Sequence, residues 1–533
     1  MIHRLPLFLL LLLLVSGCPL SGSLSLDDDD DDDATGDDDD DDATEDWKPL
    51  PEILAWAFED EAEDLGAPGV AVAIVHEGQL YAQGFGTRHP EGDEPVLPST
   101  LFRIGSVTKV LTATAILAQA DRGTLALDDR LVDFLPSLEL VGEGDIRQAS
   151  LHELLSHQGG SSDYTPITGG SEDERLLDAS LAEFPTKAWG MAPPGSFWNY
   201  SNPNYSLAGL MLEQSDGRWY REIMTEELFG PLGMDRTCFL AEEVFEDGNY
   251  AVGLSYDWTG ESNKTVLAEP DSYDDAWARP AGFAWSSVLE LSDFARFLLE
   301  GRDDVLSDES HEALTSPQVN TELFLDSIHY SYGLLQIDGR TAEQQDWYDI
   351  QTLGHSGALP GYSAELITVP EEELIIVTLA SASGVYFDRA IATVLEFLLE
   401  QEPSSPPNPR VDPEDFHRYT GTYQEPYNVG LLLVSQQDDR LEVAMPELDA
   451  LGIPYDTQLY PRSLGNFWMV INEYPFAVTF LFNEDEGPTE WLRSRYFVGR
   501  RGEERSVREV PPELRRARVQ AMLDSRRRAP PMP

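Results

Sequence analysis

Apolar β-type runs stand at both ends of a long helical stretch, and this arrangement restricts the fold more than any other feature of the chain. Gly69-Val-Ala-Val-Ala-Ile-Val75 and Gln79-Leu-Tyr-Ala-Gln-Gly-Phe85 flank Glu77-Gly78, which reads as a hairpin turn. Strand patterns return only in Tyr362 to Val369 and Leu374 to Leu379. Between them, apolar residues recur at helical spacing in Val107 to Ala120, Leu207 to Leu212 and Leu289 to Leu299. A helix is predicted before the first strand, from Pro51 to Leu65, and another after the last, near Phe387 to Leu399. Strands so far apart can bury both faces only by joining one sheet. The expectation is an α/β (α+β) domain with an antiparallel sheet flanked by helices and carrying an all-helical insert.

At 533 residues the chain exceeds one ordinary domain. Pro403 to Pro413 is rich in proline and serine and reads as a linker. Beyond it, short β-like runs (Gly430 to Val434, Leu441 to Ala444, Phe467 to Ile471, Ala477 to Phe482) alternate with turn residues, which predicts a small antiparallel β-barrel or sandwich. The segment after Arg500 is rich in arginine. Pro512 to Leu523 could form a basic amphipathic helix, but a frayed, solvated tail is the favoured reading.

Arg4, the apolar run Leu5 to Val15, and small residues before Cys18 have the layout of an export signal, and the run is too short to span a bilayer. Val15-Ser16-Gly17-Cys18 resembles a bacterial lipobox, which implies lipidation at Cys18 and a membrane partner through that lipid in a cell envelope. A plain secretory peptide cut nearby is the alternative. Asp27 to Asp33 and Asp37 to Asp42 have nothing apolar to bury and repel one another, so they read as an extended tether. Cys238, the only other cysteine, reads as a buried core thiol. The net charge of -62 excludes a nucleic-acid partner, which needs a basic footprint. The division expected is 1–18 signal peptide, 19–46 acidic tether, 47–402 main domain, 403–413 linker, 414–500 barrel and 501–533 basic tail.

Ser106-Val107-Thr108-Lys109 puts a hydroxyl and an amine on one helix face. Serine is a weak nucleophile until its proton is removed, and a lysine whose pKa is lowered by burial can remove it. Backbone N–H groups at the start of the helix can hold an oxyanion. Lys48, Lys109, Lys187 and Lys264 are the only lysines, because arginine supplies nearly all the positive charge. A face that merely needed a cation would carry Arg, which cannot act as a base.

Leu101-Phe-Arg-Ile-Gly-Ser-Val-Thr-Lys-Val-Leu-Thr-Ala113 closely resembles the nucleophile segment of the class C branch of the serine β-lactamase-like, penicillin-binding superfamily, which also holds esterases and D-specific peptidases. The resemblance runs from about Trp47 to Glu402. Leu154-Leu-Ser-His-Gln-Gly-Gly160 looks like a further family segment, and Pro194-Gly-Ser-Phe-Trp-Asn-Tyr-Ser-Asn202 resembles the family's Y-x-N motif. By that match Tyr200 shuttles a proton to the leaving group, and Asn202 bonds Lys109 and the substrate amide. The third motif departs from Lys-Thr-Gly: in Gly354-His-Ser-Gly-Ala-Leu-Pro-Gly-Tyr362, His355 stands where the lysine would. Members with H-x-G here are mostly esterases or peptidases. The resemblance implies that Gly357 lets substrate lie along the strand and that the Ala358 and Ser106 amides form the oxyanion hole.

Lysine would keep a fixed charge for a β-lactam carboxylate, whereas histidine carries one only in part near neutral pH, so uncharged esters or peptides are the expected substrates. Within the same superfamily a true β-lactamase or a D-Ala-D-Ala carboxypeptidase stays open, and outside catalysis a silent sensor or scaffold. No cofactor and no metal is expected. His152 and His157 resemble a zinc helix only loosely, since five residues of separation put them about 140° apart. Tyr419-Thr-Gly-Thr-Tyr423 and Asp439-Arg440-Leu441 resemble the β-barrel appendage of some relatives. Substrate choice is assigned to loops such as Gly159 to Trp189 and Ala241 to Arg279, and oligomeric state is left open.

Overall fold

Alternation along two fully buried strands sets the architecture. The structure is a computed structural model that describes residues 47–164, 173–182, 184–256, 265–323, 327–342, 346–407, 411–482, 487–502 and 510–528. The export segment, Cys18, the aspartate blocks and Lys264 lie outside the described residues. The main sheet contains Gly69–His76 (β1), Gln79–Gly86 (β2), Val319–Asn320 (β3), Ile328–Tyr330 (β4), Leu335–Ala342 (β5), Asp346–Leu359 (β6), Tyr362–Val369 (β7) and Leu374–Ala380 (β8). Its order is β2-β1-β8-β7-β6-β5-β4-β3, every pair antiparallel. Glu77 and Gly78 both take positive φ, 50° and 77°, the turn geometry that matches the twist of a two-residue hairpin.

β1 pairs with β8 across the whole helical middle of the chain, as the two-ended pattern requires. Ala71, Ala73 and Val75 of β1, with Ile375, Val377 and Leu379 of β8, enter one core. Val70, Val72 and Ile74, with Leu374, Ile376 and Ala380, enter the other. Both faces are covered, which is why these strands read as unbroken apolar runs. The helices that frame the site are Glu52–Leu65 (α1), Thr108–Asp121 (α2), Asn202–Asp216 (α3), Val288–Glu300 (α4) and Asp388–Leu399 (α5). α1 and α5 pack together over one face of the sheet, and α4 lies on the other against β1 and β8. α2 is buried continuously from Thr108 to Gln119, and α3 from Pro203 to Glu213. A helix with no wet face belongs in the middle of a large core.

The C-terminal strands Gly421–Glu425 (β9), Gly430–Gln437 (β10), Arg440–Ala444 (β11), Gln458–Ser463 (β12), Asn466–Ile471 (β13), Tyr474–Phe482 (β14), Thr489–Arg493 (β15) and Val498–Arg501 (β16) form a closed barrel. Closure is through β9 and β16, with Tyr423 opposite Arg501. Closure leaves no unpaired sheet edge. At the start of the proline-rich stretch, Ser404 exchanges backbone hydrogen bonds with Trp347, 2.9 and 2.8 Å, so this end is tied to the main sheet.

Two expectations need correction or refinement. The arginine-rich C-terminus is not a solvated tail: Pro512–Arg528 (α6) is a helix whose Val519, Met522 and Leu523 are buried in the barrel core. Arg515 also donates to the Asn428 carbonyl at 3.1 Å. Three apolar residues on one helical face outweigh the surrounding charge, because each arginine can keep its head in water while its stem packs. Cys238 is a free thiol packed against the main core but only partly buried. Among the described residues no helix is long and apolar enough to cross a membrane.

Truncating Leu523 to Ala should destabilise the barrel by about 2–4 kcal/mol, read as a lower urea midpoint of its unfolding transition. An unchanged midpoint would mean that α6 does not belong to the barrel core.

Candidate active site

Two glycines bring the sheet against the start of α2. Ser106 lies in a single 3₁₀ turn, Gly105–Val107, that leads into that helix. Gly105 has φ +51°, and a Cβ there would stand 2.5 Å from the Ala358 amide nitrogen. A Cβ on Gly357 would stand 2.0 Å from the Ile104 carbonyl oxygen and 3.1 Å from the Ser106 nitrogen. No side chain fits at either position, so β6 lies with its backbone directly on the turn, and the Ser106 and Ala358 amides meet at one crossing. Thr108 clamps the turn: its hydroxyl donates to the Gly105 carbonyl at 2.7 Å and accepts from the Ala284 amide at 3.2 Å.

Lys109 follows one turn later and is completely buried. Its Nζ lies 2.6 Å from the Ala281 carbonyl oxygen, 2.7 Å from Asn202 Oδ1 and 3.0 Å from Ser106 Oγ. Burial holds its pKa well below the ordinary lysine value; Asp163 opposes that shift and Arg495 adds to it. Burial favours the neutral amine, whose partners then divide by type. A carbonyl and an amide oxygen can only accept, so they take both N–H groups of –NH₂ and leave its lone pair for the Ser106 hydroxyl.

Tyr200 arrives from the other side of the serine, with its OH 3.0 Å from Ser106 Oγ. It stands in the extended stretch of chain that ends where α3 begins at Asn202, followed by Pro203 at the position where proline suits a helix start. Burial pushes the phenol pKa up, with the nearby Arg495 working against the shift. His157, at φ 58°, forms the back wall of this tyrosine, their ring centroids 4.3 Å apart. Its Nδ1 accepts from the Ser201 amide at 3.3 Å, and burial keeps the ring neutral. Asn202 uses the other end of its amide on Asp163, donating from Nδ2 at 3.2 Å, while its backbone N–H donates to the same oxygen at 2.9 Å.

His355 is on β6 beside Tyr200, ring centroids 6.1 Å apart, and is 6% exposed. Its Nδ1 donates to the Ser356 carbonyl, and Nε2 has no partner among the described residues. Burial is the main cause that pushes its pKa down to about 3, and a proton on Lys109 would act in the same direction. The partial charge expected near neutral pH is therefore absent, because desolvation overrides the ring's ordinary basicity. His152 bonds Tyr332 OH at 2.7 Å and does not converge with His157. Among the described residues no group of His, Cys, Asp or Glu is arranged to hold a metal.

Arg495 was not singled out from the sequence. It comes from the barrel, between β15 and β16, and its Nε and another guanidinium nitrogen donate to Asp163 Oδ2 at 2.8 and 2.6 Å. Its guanidinium carbon also sits 4.6 Å from the centre of the Tyr200 ring. The barrel docks here through Trp189 on Tyr427 and Phe197 on Trp491, centroids 5.7 and 5.4 Å apart. Asp163 does fall within Gly159 to Trp189, the loop expected to govern selectivity. For Arg495 no local pattern could have served, since its partner lies 332 positions away and only barrel docking joins them.

Residues 54–401 match the Beta-lactamase family. Penicillin-binding protein 4 of Amycolatopsis lactamdurans is 27% identical over 67% of this chain and 93% of that protein. Unguisins hydrolase ungD' of Aspergillus campestris is 25% identical over 68% of this chain and 67% of its own length. The crystal structure of SurE superposes with a TM-score of 0.60 at 23% identity, covering 84% of this chain and 98% of that one, a likeness of fold. With the family match extending over well more than half its length, the chain belongs to the Beta-lactamase family of hydrolases.

Proposed function

We propose that the chain is a serine hydrolase that cleaves an ester or amide through an acyl-enzyme, with Ser106 as nucleophile, Lys109 as base and Tyr200 as proton donor. The observation that carries this reading is the set of partners around Lys109 Nζ, two obligate acceptors and one hydroxyl. In this reading the Ser106 proton passes to the amine as Oγ attacks the substrate carbonyl carbon. The Ser106 and Ala358 amides stabilise the oxyanion. Tyr200 gives its proton to the departing oxygen or nitrogen, and the Arg495 guanidinium beside the ring favours the phenolate that results. Water then attacks the acyl ester and restores the serine, the same groups acting in reverse.

A neutral, inward-turned His355 offers no positive charge to a β-lactam carboxylate at the position where the related Lys-Thr-Gly motif would place one. Uncharged esters and peptide amides, with Asn202 and Gly357 aligning the acyl part, are the substrate class that this favours. We also propose that the chain is exported and held at a bacterial envelope through lipid on Cys18. Palmitate labelling of the wild type, lost in Cys18→Ala, is the outcome expected.

Ser106→Ala should lower turnover of p-nitrophenyl acetate by at least about 10³-fold with an unchanged thermal midpoint. Activity within a few-fold of wild type would remove the assignment. Tyr200→Phe should lose about 10²- to 10⁴-fold in kcat with little change in KM. In pH profiles the rate should fall on the acid side as Lys109 gains its proton, because the protonated amine has no lone pair for the serine. His355, already neutral from about 3 upward, should contribute no further limb between pH 5 and 8. A His355→Gln profile shifted within that window would contradict this.

A further inference from the structure

The mouth of the barrel holds a solvent-open recess, whose lining shares only Arg495 with the proposed chemistry. Arg462 at the end of β12, Arg493 at the end of β15 and Arg526 on α6 line it, together with Trp198, Trp468 and Tyr496. The chain has 97 acidic residues against 35 basic ones, so an arginine should rarely lack a carboxylate. Elsewhere Arg279 pairs with Asp274 at 2.7 Å and Arg340 with Glu365 at 3.1 Å, although the buried Arg103 bonds only the Phe283 and Pro270 carbonyls.

No Asp or Glu is among the residues that line this recess, although Arg495 at its border pairs with Asp163. Arg462 lies over the Trp468 ring, 4.3 Å from its centre, and forms no ion pair with any described residue. Arg493 is 2% exposed and donates only to neutral oxygens, the Trp198 and Thr321 carbonyls and the Thr479 hydroxyl. Arg526 donates to the Pro475 carbonyl at 2.8 Å. The charge of Arg462, set beside flat aromatic walls without a paired carboxylate among the described residues, is complementary to an organic anion: the carboxylate meets the N–H fork, and the rings cover the apolar body. Arg495 also borders the recess, which places it next to the cleft that holds Tyr200.

We propose that the barrel mouth is a binding site for small organic carboxylates with an aromatic or acylated body, with Arg462 as the principal anion contact, Arg493 and Arg526 as supporting charge, and Trp198, Trp468 and Tyr496 as walls. The site is distinct from the Ser106 constellation, and its occupancy does not depend on turnover.

Titration calorimetry of the full chain carrying Ser106→Ala, with N-benzoylglycine, N-acetyl-D-phenylalanine and indole-3-acetate, each against its primary amide, tests the site. At least one acid should bind about tenfold or more tighter than its amide, and added salt should narrow the gap. Arg462→Gln should weaken that acid about tenfold and leave the amide unchanged, while Arg462→Lys should restore part of the loss. In an otherwise wild-type chain, Arg462→Gln should leave p-nitrophenyl acetate turnover within twofold, so that a failure here is separable from a failure of the hydrolase assignment. Equal binding of acids and amides, no binding by any of the three pairs, or undiminished acid binding by Arg462→Gln would overturn the proposal.

Discussion

Burying one lysine amine in a dry cleft asks much of this molecule, because an ammonium taken from water without a counter-charge is among the least favourable states a protein interior can hold. The surroundings of Lys109 answer that requirement at each level. α2 and α3, which carry or abut the amine, have no wet face along most of their length. The acceptors that reach Nζ are a main-chain carbonyl and a side-chain amide, both neutral. The nearest carboxylate, Asp163, is engaged by Arg495 and by Asn202, which blunts the field it would otherwise direct at the amine. The close contact at Gly105 and Gly357 belongs to the same arrangement, since a side chain at either would open a gap between β6 and the Ser106 turn.

The barrel is part of this arrangement rather than a neighbour of it. Through Arg495 it holds Asp163, Asp163 accepts from both the backbone and the side chain of Asn202, and Asn202 accepts from Lys109. The same guanidinium lies beside the phenol that completes the other side of Ser106. Two arginines two positions apart, Arg493 and Arg495, thus serve different ends: one ties the barrel to the Trp198 and Thr321 carbonyls, and the other supports the cleft.

The large features of the fold were legible because they rest on period. Unbroken apolar runs in β1 and β8 announce strands, and the Glu77-Gly78 pair announces the turn from β1 into β2. The Ser106–Lys109 pair was legible because its spacing is local and lysine is scarce. Tyr200, Asn202 and His355 could be singled out only through family resemblance, since nothing in their local spacing says which residues they will meet. What could not be read was environment. The partial charge expected of His355 failed because desolvation is a property of what packs around a ring, and the partners of Arg495 and Arg462 are decided by how the barrel seats. The C-terminal helix misled for a related reason: arginine dominates its local composition, and the few apolar residues that decide its fate, Val519, Met522 and Leu523, matter only once there is a barrel to receive them.

The ion pair between Asp163 and Arg495 joins positions 332 residues apart. Contacts of such long sequence separation form late, after the entropy of closing the intervening loop has been overcome. A chain emerging N-terminus first therefore presents its serine and lysine long before the arginine that steadies their support has been synthesised. The run of contacts from Lys109 through Asn202 and Asp163 is therefore complete only when the last strands have closed the barrel and brought Arg495 against it.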